Sequence, residues 1–377
     1  MGAGNIGTVI STLEFNTSCC IHPAIIHAGG DVYAVAYKGD SNDGFITTMP
    51  INSSGIIGAA IQTLEFDPIF GDFPDMIHIS GEVYAIVYHG DSKDGIVKTI
   101  SINAAGQIST IDTWIYGTNY GGYPQILHVS GNIYAIACQE TVSYDGFIKT
   151  VTISDAGVIT KAIIATYEFA TDHAASINFL HVSGNVFVLA YSSTSNAGII
   201  RTVTISDAGA INGIATRTYE SGSALDPSFT RVAGNIFATV YRTITTYAGH
   251  LKTMTVSDAG AISAVIDTLQ LAAAEFKEPH IISVTPSIVG ISFNGAGGDG
   301  FIETVSIDGG GTIGAIIDTL EFDTVYCDCP VTINVSGNIW AVAYTGNSDD
   351  GFIKTFGIDS GGGGGATIVT FVELLGI

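Results

Sequence analysis

Apolar and polar residues alternate at period two in short runs rich in Ile, Val, Thr, Tyr and Phe, the pattern of half-buried strands. One stretch shows the unit: PDMIHI (74–79), EVYAIVYH (82–89), GIVKTISI (95–102) and QISTIDTWIY (107–116) read as strands a, b, c and d. Turn signals separate them: Ser-Gly-Glu or Ser-Gly-Asn between a and b, Asp-Gly between b and c, Asp-Ala-Gly between c and d. Those residues supply the positive φ angles that tight hairpins require. No helical period is sustained, and LQLAAAEFK (269–277) holds one helical turn at most.

The unit repeats. HISGEVYAIVYHGDSKDGIVKTISINAAGQI (78–108) returns as HVSGNIYAIACQETVSYDGFIKTVTISDAGVI (128–159) and as HVSGNVFVLAYSSTSNAGIIRTVTISDAGAI (181–211). Turn glycines fall at Gly30, Gly81, Gly131, Gly184, Gly234 and Gly337, with Pro286 in the sixth place. A threonine recurs at Thr48, Thr99, Thr150, Thr202, Thr253, Thr304 and Thr355. Seven copies of a four-strand unit, about fifty-one residues apart, define a repeat architecture. On these residues the chain resembles β-propeller repeat proteins along its whole length. The Trp-Asp ending, the kelch double glycines and the surface-layer Tyr-Val-Thr-Asn signature are absent, so no named family is assigned. The resemblance implies an all-β, seven-bladed propeller, with four antiparallel strands per blade in a single domain over residues 1–377.

The ends count unevenly. GNIGTVISTLEF (4–15) matches the strand d pattern of GTIGAIIDTLEF (311–322), so residues 1–15 are expected to close the ring as strand d of the last blade. The Gly-rich connector 361–365 then leaves 366–377 as a surplus apolar terminal strand, open to pairing with another chain.

Composition narrows the class. Twelve Lys and Arg against 35 Asp and Glu give a net charge of -23, too few cations for a nucleic-acid footprint. Charged residues are 12% and hydrophobic residues 46%, which excludes intrinsic disorder. No apolar run reaches the ~18 residues of a membrane helix, and MGAGNIGTVISTLEF does not read as a signal peptide. The low lysine content leans toward an extracellular, cell-surface or virion protein.

Variation among the repeats is greatest in the d–a loops, which share a face with the b–c loops by resemblance to known propellers. These loops bring Phe70, Phe73, Tyr120, Tyr123, His173, Phe276 and Tyr326 toward one surface, beside Asp72, Asp172 and Glu278. Aromatics beside carboxylates suit a glycan; the alternative is that they roof their own blades. The b–c hairpins GDSNDG (39–44) and GDSKDG (90–95) place Asp40, Asp43, Asp91 and Asp94 where calcium could bind. SNAG (195–198) and TYAG (246–249) keep the glycine without the acid, which favours a purely structural turn.

Histidine recurs at His27, His78, His128 and His181, then becomes Arg231, Ser283 and Asn334, a ring near one end of the channel expected to hydrogen-bond a neighbouring blade rather than to hold a metal or anion. Lys98, Lys149, Arg201, Lys252 and Lys354 follow the b–c turn, with strand d carboxylates such as Glu14, Glu65, Glu168 and Glu321 as expected partners. Cys138 takes a core position. Cys19 or Cys20 is placed to bond Cys327 or Cys329 across the ring closure, against a reading as unpaired thiols. No Gly-x-Ser-x-Gly, His-Glu-x-x-His or phosphate loop is present.

From the sequence the expectation is a non-enzymatic recognition or adhesion module without an obligatory cofactor, binding a glycan or protein surface on its variable loops. The alternative is a structural subunit of a filament, sheath or virion that self-assembles through the surplus strand. A glycoside hydrolase or lyase ranks third.

Overall fold

A computed structural model describes residues 2–272 and 275–361. Twenty-eight strands form seven four-stranded antiparallel sheets, and no α-helix occurs among the described residues. In the second unit the strands run Asp72–Ser80, Val83–His89, Gly95–Ile102 and Ile108–Gly117, within two residues of the expected bounds. The innermost strands are Ile21–His27, Asp72–Ser80, Gly122–Ser130, Ala175–Ser183, Leu225–Ala233, Lys277–Thr285 and Asp328–Ser336. Each packs on the next, and the seventh packs on the first. The ring is therefore a seven-bladed β-propeller.

The last blade takes its outer strand from the start of the chain: Ser11–Asn16 pairs with Gly351–Gly357, Leu13 opposite Ile353. Residues 362–377, most of the expected connector and all of the terminal strand 366–377, lie outside the described residues. So do 273 and 274, within the segment 269–277; strand d of the fifth blade is Asp267–Gln270.

The core lies between blades. Ala34, Ala36 and Ile46 of the first blade pack with Tyr84, Ile86 and Tyr88 of the second, and the pattern recurs around the ring. The repeated threonine is fully buried at all seven positions. Its hydroxyl donates to the carbonyl oxygen of the c–d turn glycine in the next blade, Thr48 to Gly106 and Thr150 to Gly209, each at 2.7 Å. Sequence reading found this threonine but not its role.

Four of the five recurrent cations, Lys98, Arg201, Lys252 and Lys354, bridge to the preceding blade, though not to the expected acids. Lys252 donates to the carbonyl oxygen of Tyr219 and pairs with Glu220; Lys354 does the same with Phe322 and Asp323. The glutamates Glu14, Glu65 and Glu321 fall on the solvent side of strand d, because alternation points the residue before the buried aromatic outward. Tyr241 and Tyr344 donate to the same carboxylates at 2.8 and 2.6 Å, completing half-buried triads.

His27, His78, His128 and His181 each bond, through Nε2, the carbonyl oxygen of the a–b turn glycine three residues on, at 2.7–2.8 Å. Arg231 and Asn334 do the same to Gly234 and Gly337. The histidines thus brace the turn of their own blade rather than the neighbouring blade expected of them, because the turn carbonyl lies only three residues on; Arg231 and Ser283 also reach the preceding blade, at the carbonyl oxygens of Val182 and Val232.

The disulfide is not formed: all five cysteines are free thiols. Cys20 and Cys327 hold the same position in successive blades. Each is buried against the glycine opening strand c of the preceding blade, Gly351 and Gly300 respectively. That places them in separate inter-blade seams. Cys329 is equivalent to His22 rather than to Cys19 or Cys20.

Candidate functional site at the channel mouth

Seven equivalent residues open the innermost strands: His22, Phe73, Tyr123, Ser176, Asp226, Glu278 and Cys329. All are half-buried, and all have φ between 45° and 51°, the left-handed region that non-glycine residues rarely occupy. Six of them precede a proline: Pro23, Pro74, Pro124, Pro227, Pro279 and Pro330. Strain of this kind costs roughly 1–3 kcal/mol per residue and persists where the surroundings over-determine it. Here the backbone conformation is identical seven times while the side chain is different every time.

A second ring lies directly behind. The last residue of each strand b is Lys38, His89, Gln139, Ser192, Arg242, Asn294 or Thr345. They pair across the sheet with Ile21, Asp72, Gly122, Ala175, Leu225, Lys277 and Asp328. The residues before them are apolar core; these are seven different polar types. Sequence reading looked for variation in the loops and passed over these strand ends, although aligning the repeats exposes both rings.

Adjoining members touch. His22 stacks on Phe73 with ring centroids 3.9 Å apart, and Phe73 meets Tyr123 at 4.7 Å. The Cys329 thiol lies 3.0 Å from Glu278 Oε2. His22 Nδ1 is 2.6 Å from Asp72 Oδ1, and Lys38 Nζ reaches Asp72 Oδ2 at 2.9 Å. Arg242 Nε donates to Asp226 Oδ2 at 2.5 Å. The charges converge on one space: Asp226, Asp72 and Glu278 all push up the Tyr123 hydroxyl, which burial raises first, although they come from three blades.

Electrostatics sort the carboxylates. Burial acts to raise Asp72, but His22 and Lys38 outweigh it and bring it down to about 2. Asp328 is pushed up to about 7 by burial and by neighbouring Glu278. Burial opposes Glu278 too, yet hydrogen bonds from Asp328 and Cys329, with the charge of His22, hold it below the usual range. One layer deeper, Asp75 Oδ2, Gln125 Oε1, Asn178 Oδ1 and Ser228 Oγ accept the backbone N–H of the next blade's innermost strand. Burial raises Asp75 to about 6. His280 Nδ1 accepts the N–H of Thr332, and burial lowers it to about 4.

The expected loop residues separate. Phe73 and Tyr123 belong to the mouth ring, and Phe70 sits at its rim, 5.2 Å from His89. Tyr120 meets Phe147 edge-on under Lys149; His173 leans on Tyr144; Tyr326 lies over Gly298. Phe276 does not reach the surface: it is fully buried over Gly249, filling a position held by glycine, alanine or cysteine elsewhere. Asp40, Asp43, Asp91 and Asp94 sit in short 3-10 turns with Ser41 and Ser92 left-handed. Ala296, Gly297 and Gly298 make the same turn without an acid in its first place. Among the described residues the one group of three metal-ligating side chains is Glu278, Asp328 and Cys329, not a hairpin. A depression of about 530 Å³ is lined by Tyr247, Glu275, Lys277 and Gly297.

No protein-family model matches the chain, and no curated protein matches it. Solved structures do. The periplasmic gluconolactonase of Pseudomonas aeruginosa superposes with a TM-score of 0.62 at 12% identity, over 80% of this chain and 86% of that one. A protein assigned as a 6-phosphogluconolactonase from Bacteroides uniformis gives 0.59 at 12%, over 88% and 98%. Its counterpart from Bacteroides fragilis gives 0.58 at 12%, over 80% and 84%. At such identity the likeness establishes the fold. The neighbours' names stand against the expectation of a non-enzymatic adhesion module or structural subunit, since these propellers are named as lactonases; they do not by themselves assign this chain an activity. No helix among the described residues is long and apolar enough to cross a membrane.

Proposed function

We propose that the protein is a hydrolase of the lactonase kind, acting on a polyhydroxylated lactone at the channel mouth. The observation that carries this reading is the pair of rings: fourteen positions where an otherwise monotonous scaffold holds different, mostly polar residues. His22 and Asp72 form a carboxylate-oriented imidazole, the arrangement of a general base. Asp72 holds Nδ1, leaving Nε2 to take a proton from water as its oxygen bonds to the lactone carbonyl carbon. The ring carbon–oxygen bond then breaks, His22 returns the proton to the departing alkoxide, and the product is the open hydroxy acid. Arg242, fixed by Asp226, supplies positive charge for the developing oxyanion. Asp226, Tyr123 and Glu278 offer partners for sugar hydroxyls, and Phe73 an apolar face.

The names of the structural neighbours support this substrate class, and the periplasmic one agrees with the lean of the composition toward a location outside the cytoplasm. The test is proton release from gluconolactone above the spontaneous rate. His22→Ala should lower it by about 10²- to 10⁴-fold, the contribution of a positioned general base. A full rate in that variant removes the assignment.

A further inference from the structure

The two rings and their sheet partners fix the charges that a ligand meets at the mouth. Asp72, Asp226, Glu278 and Asp328 bring carboxylates from four blades. They converge: burial first, then the charges of Asp226, Asp72 and Glu278, raise the Tyr123 hydroxyl. The lysines and arginines among the same positions are Lys38, Arg242 and Lys277. Lys38 Nζ is engaged by Asp72 at 2.9 Å. Arg242 is engaged by Asp226, with its guanidinium carbon 5.1 Å from the Tyr247 ring centroid. Of the histidines, His22 is held by Asp72, and burial keeps His89 below the ordinary imidazole range.

Lys277 stands apart, exposed beside Glu278, and lines the depression with Tyr247, Glu275 and Gly297. The chain there, GAGGDG (295–300), is rich enough in glycine to cradle a phosphate. A cradle needs backbone N–H groups free to point at the anion. These are taken: Gly297 donates to Glu275 Oε2 at 3.0 Å, Gly298 to the carbonyl oxygen of Gly295 at 3.1 Å, and Gly295 to that of Asp299 at 2.9 Å. A carboxylate of the chain already sits where a phosphate oxygen would be received.

We infer that the mouth accepts an uncharged polyhydroxylated lactone and excludes its phosphate esters, with Asp226, Glu278 and Glu275 setting the preference. A phosphate monoester carries about −1.5 to −2 charges at neutral pH. It is held by free guanidinium or ammonium groups and N–H donors. Here it meets carboxylates, and the cations beside them are engaged internally, on a chain of net charge -23. A hydroxyl meets no such repulsion, because it donates to a carboxylate. The inference rests on the lactonase reading and deepens it: the carboxylates that bond a sugar hydroxyl turn a phosphate away.

The experiment measures kcat/KM of the whole chain by proton release for gluconolactone and for its phosphate monoester. The ester should be slower by about a hundredfold or more, the scale of like-charge exclusion. Salt at about 1 M, which screens charges beyond about 3 Å, should narrow the gap. Glu278→Gln should raise the ester-to-lactone ratio by about tenfold. Lys277→Ala should leave that ratio unchanged; a loss confined to the ester would place a phosphate at Lys277 and overturn the inference. An ester hydrolysed as fast as the lactone, or a gap indifferent to both salt and Glu278→Gln, would overturn it while leaving the lactonase reading intact. If neither lactone turns over, that reading falls and ligand binding decides. Saturation-transfer NMR is then run with anhydroglucitol and its phosphate ester, ring ethers that lack the reactive carbonyl. Transfer to the neutral ether alone upholds the inference, and transfer to the ester or to neither overturns it.

Discussion

The hydroxyl of Thr304 donates to the carbonyl oxygen of Gly4 at 2.6 Å, across 300 positions of the chain. It is the same bond that Thr48 makes to Gly106 and Thr150 to Gly209, so the N-terminal segment occupies the c–d turn of the seventh blade. Thr355 makes the next such bond, to Gly55 of the first blade at 2.5 Å. The closing seam thus uses the bonds of every other seam. Thr304→Val should cost about 1–3 kcal/mol by leaving a buried carbonyl unpaired. Thr150→Val should cost a similar amount in urea unfolding. A Thr304 variant with no loss beside a costly Thr150 variant would show that the N-terminal strand does not carry the closure.

Glu303 stands where the other blades place Lys98, Lys149, Arg201, Lys252 and Lys354, and its Oε2 is buried without a partner. Burial raises its carboxyl to about 6. The folded state therefore holds the proton more tightly than the unfolded chain. Stability is fullest below the ordinary glutamate range and falls as pH rises through about 6, by about 2 kcal/mol at 1.36 kcal/mol per unit. Glu303→Gln should flatten Tm against pH between 4.5 and 7, and Glu303→Lys should raise Tm at neutral pH by restoring the bridging cation. An unchanged pH profile in the glutamine variant would refute this.

Asp75 is the charged member of a layer that Gln125 and Asn178 fill with amides making the same bond to the next blade. Burial raises it to about 6. By the same sign, its charge destabilises the fold as pH rises. Asp75→Asn keeps the acceptor for Ile126 and should melt higher than the wild type at pH 7.5. The gap should close as the pH falls below the ordinary aspartate range. A lower Tm for Asn at pH 7.5 would show that the charge is compensated.

Period-two alternation, hairpin glycines and the repeated threonine were enough to reach the seven blades and the closing strand, because propeller geometry is written in every repeat. The site was legible only in part. Phe73 and Tyr123, singled out because loops draw attention, fall in the mouth ring, but His22, Asp226 and Lys38 stand at strand ends, where a pattern of core residues stops. Phe276 was misjudged because a buried aromatic replaces the small residue of the other loops, and one residue type cannot report its own burial. The disulfide was misjudged because equivalent positions in neighbouring blades lie in different seams. The proposal of a hydrolase in place of an adhesion module was not reachable from the sequence, since the His22–Asp72 pair joins residues of two blades and has no spacing to recognise.

The central claim is that chemistry takes place at the channel mouth. The most direct test is kcat/KM for gluconolactone by proton release in the wild type, His22→Ala, Arg242→Ala and Asp155→Asn, the last an exposed turn residue on the opposite face. The account predicts turnover in the wild type and in Asp155→Asn, and a fall of about a hundredfold or more in both mouth variants at unchanged Tm. No turnover of aldonolactones by the wild type, or equal rates in all four proteins, would contradict it.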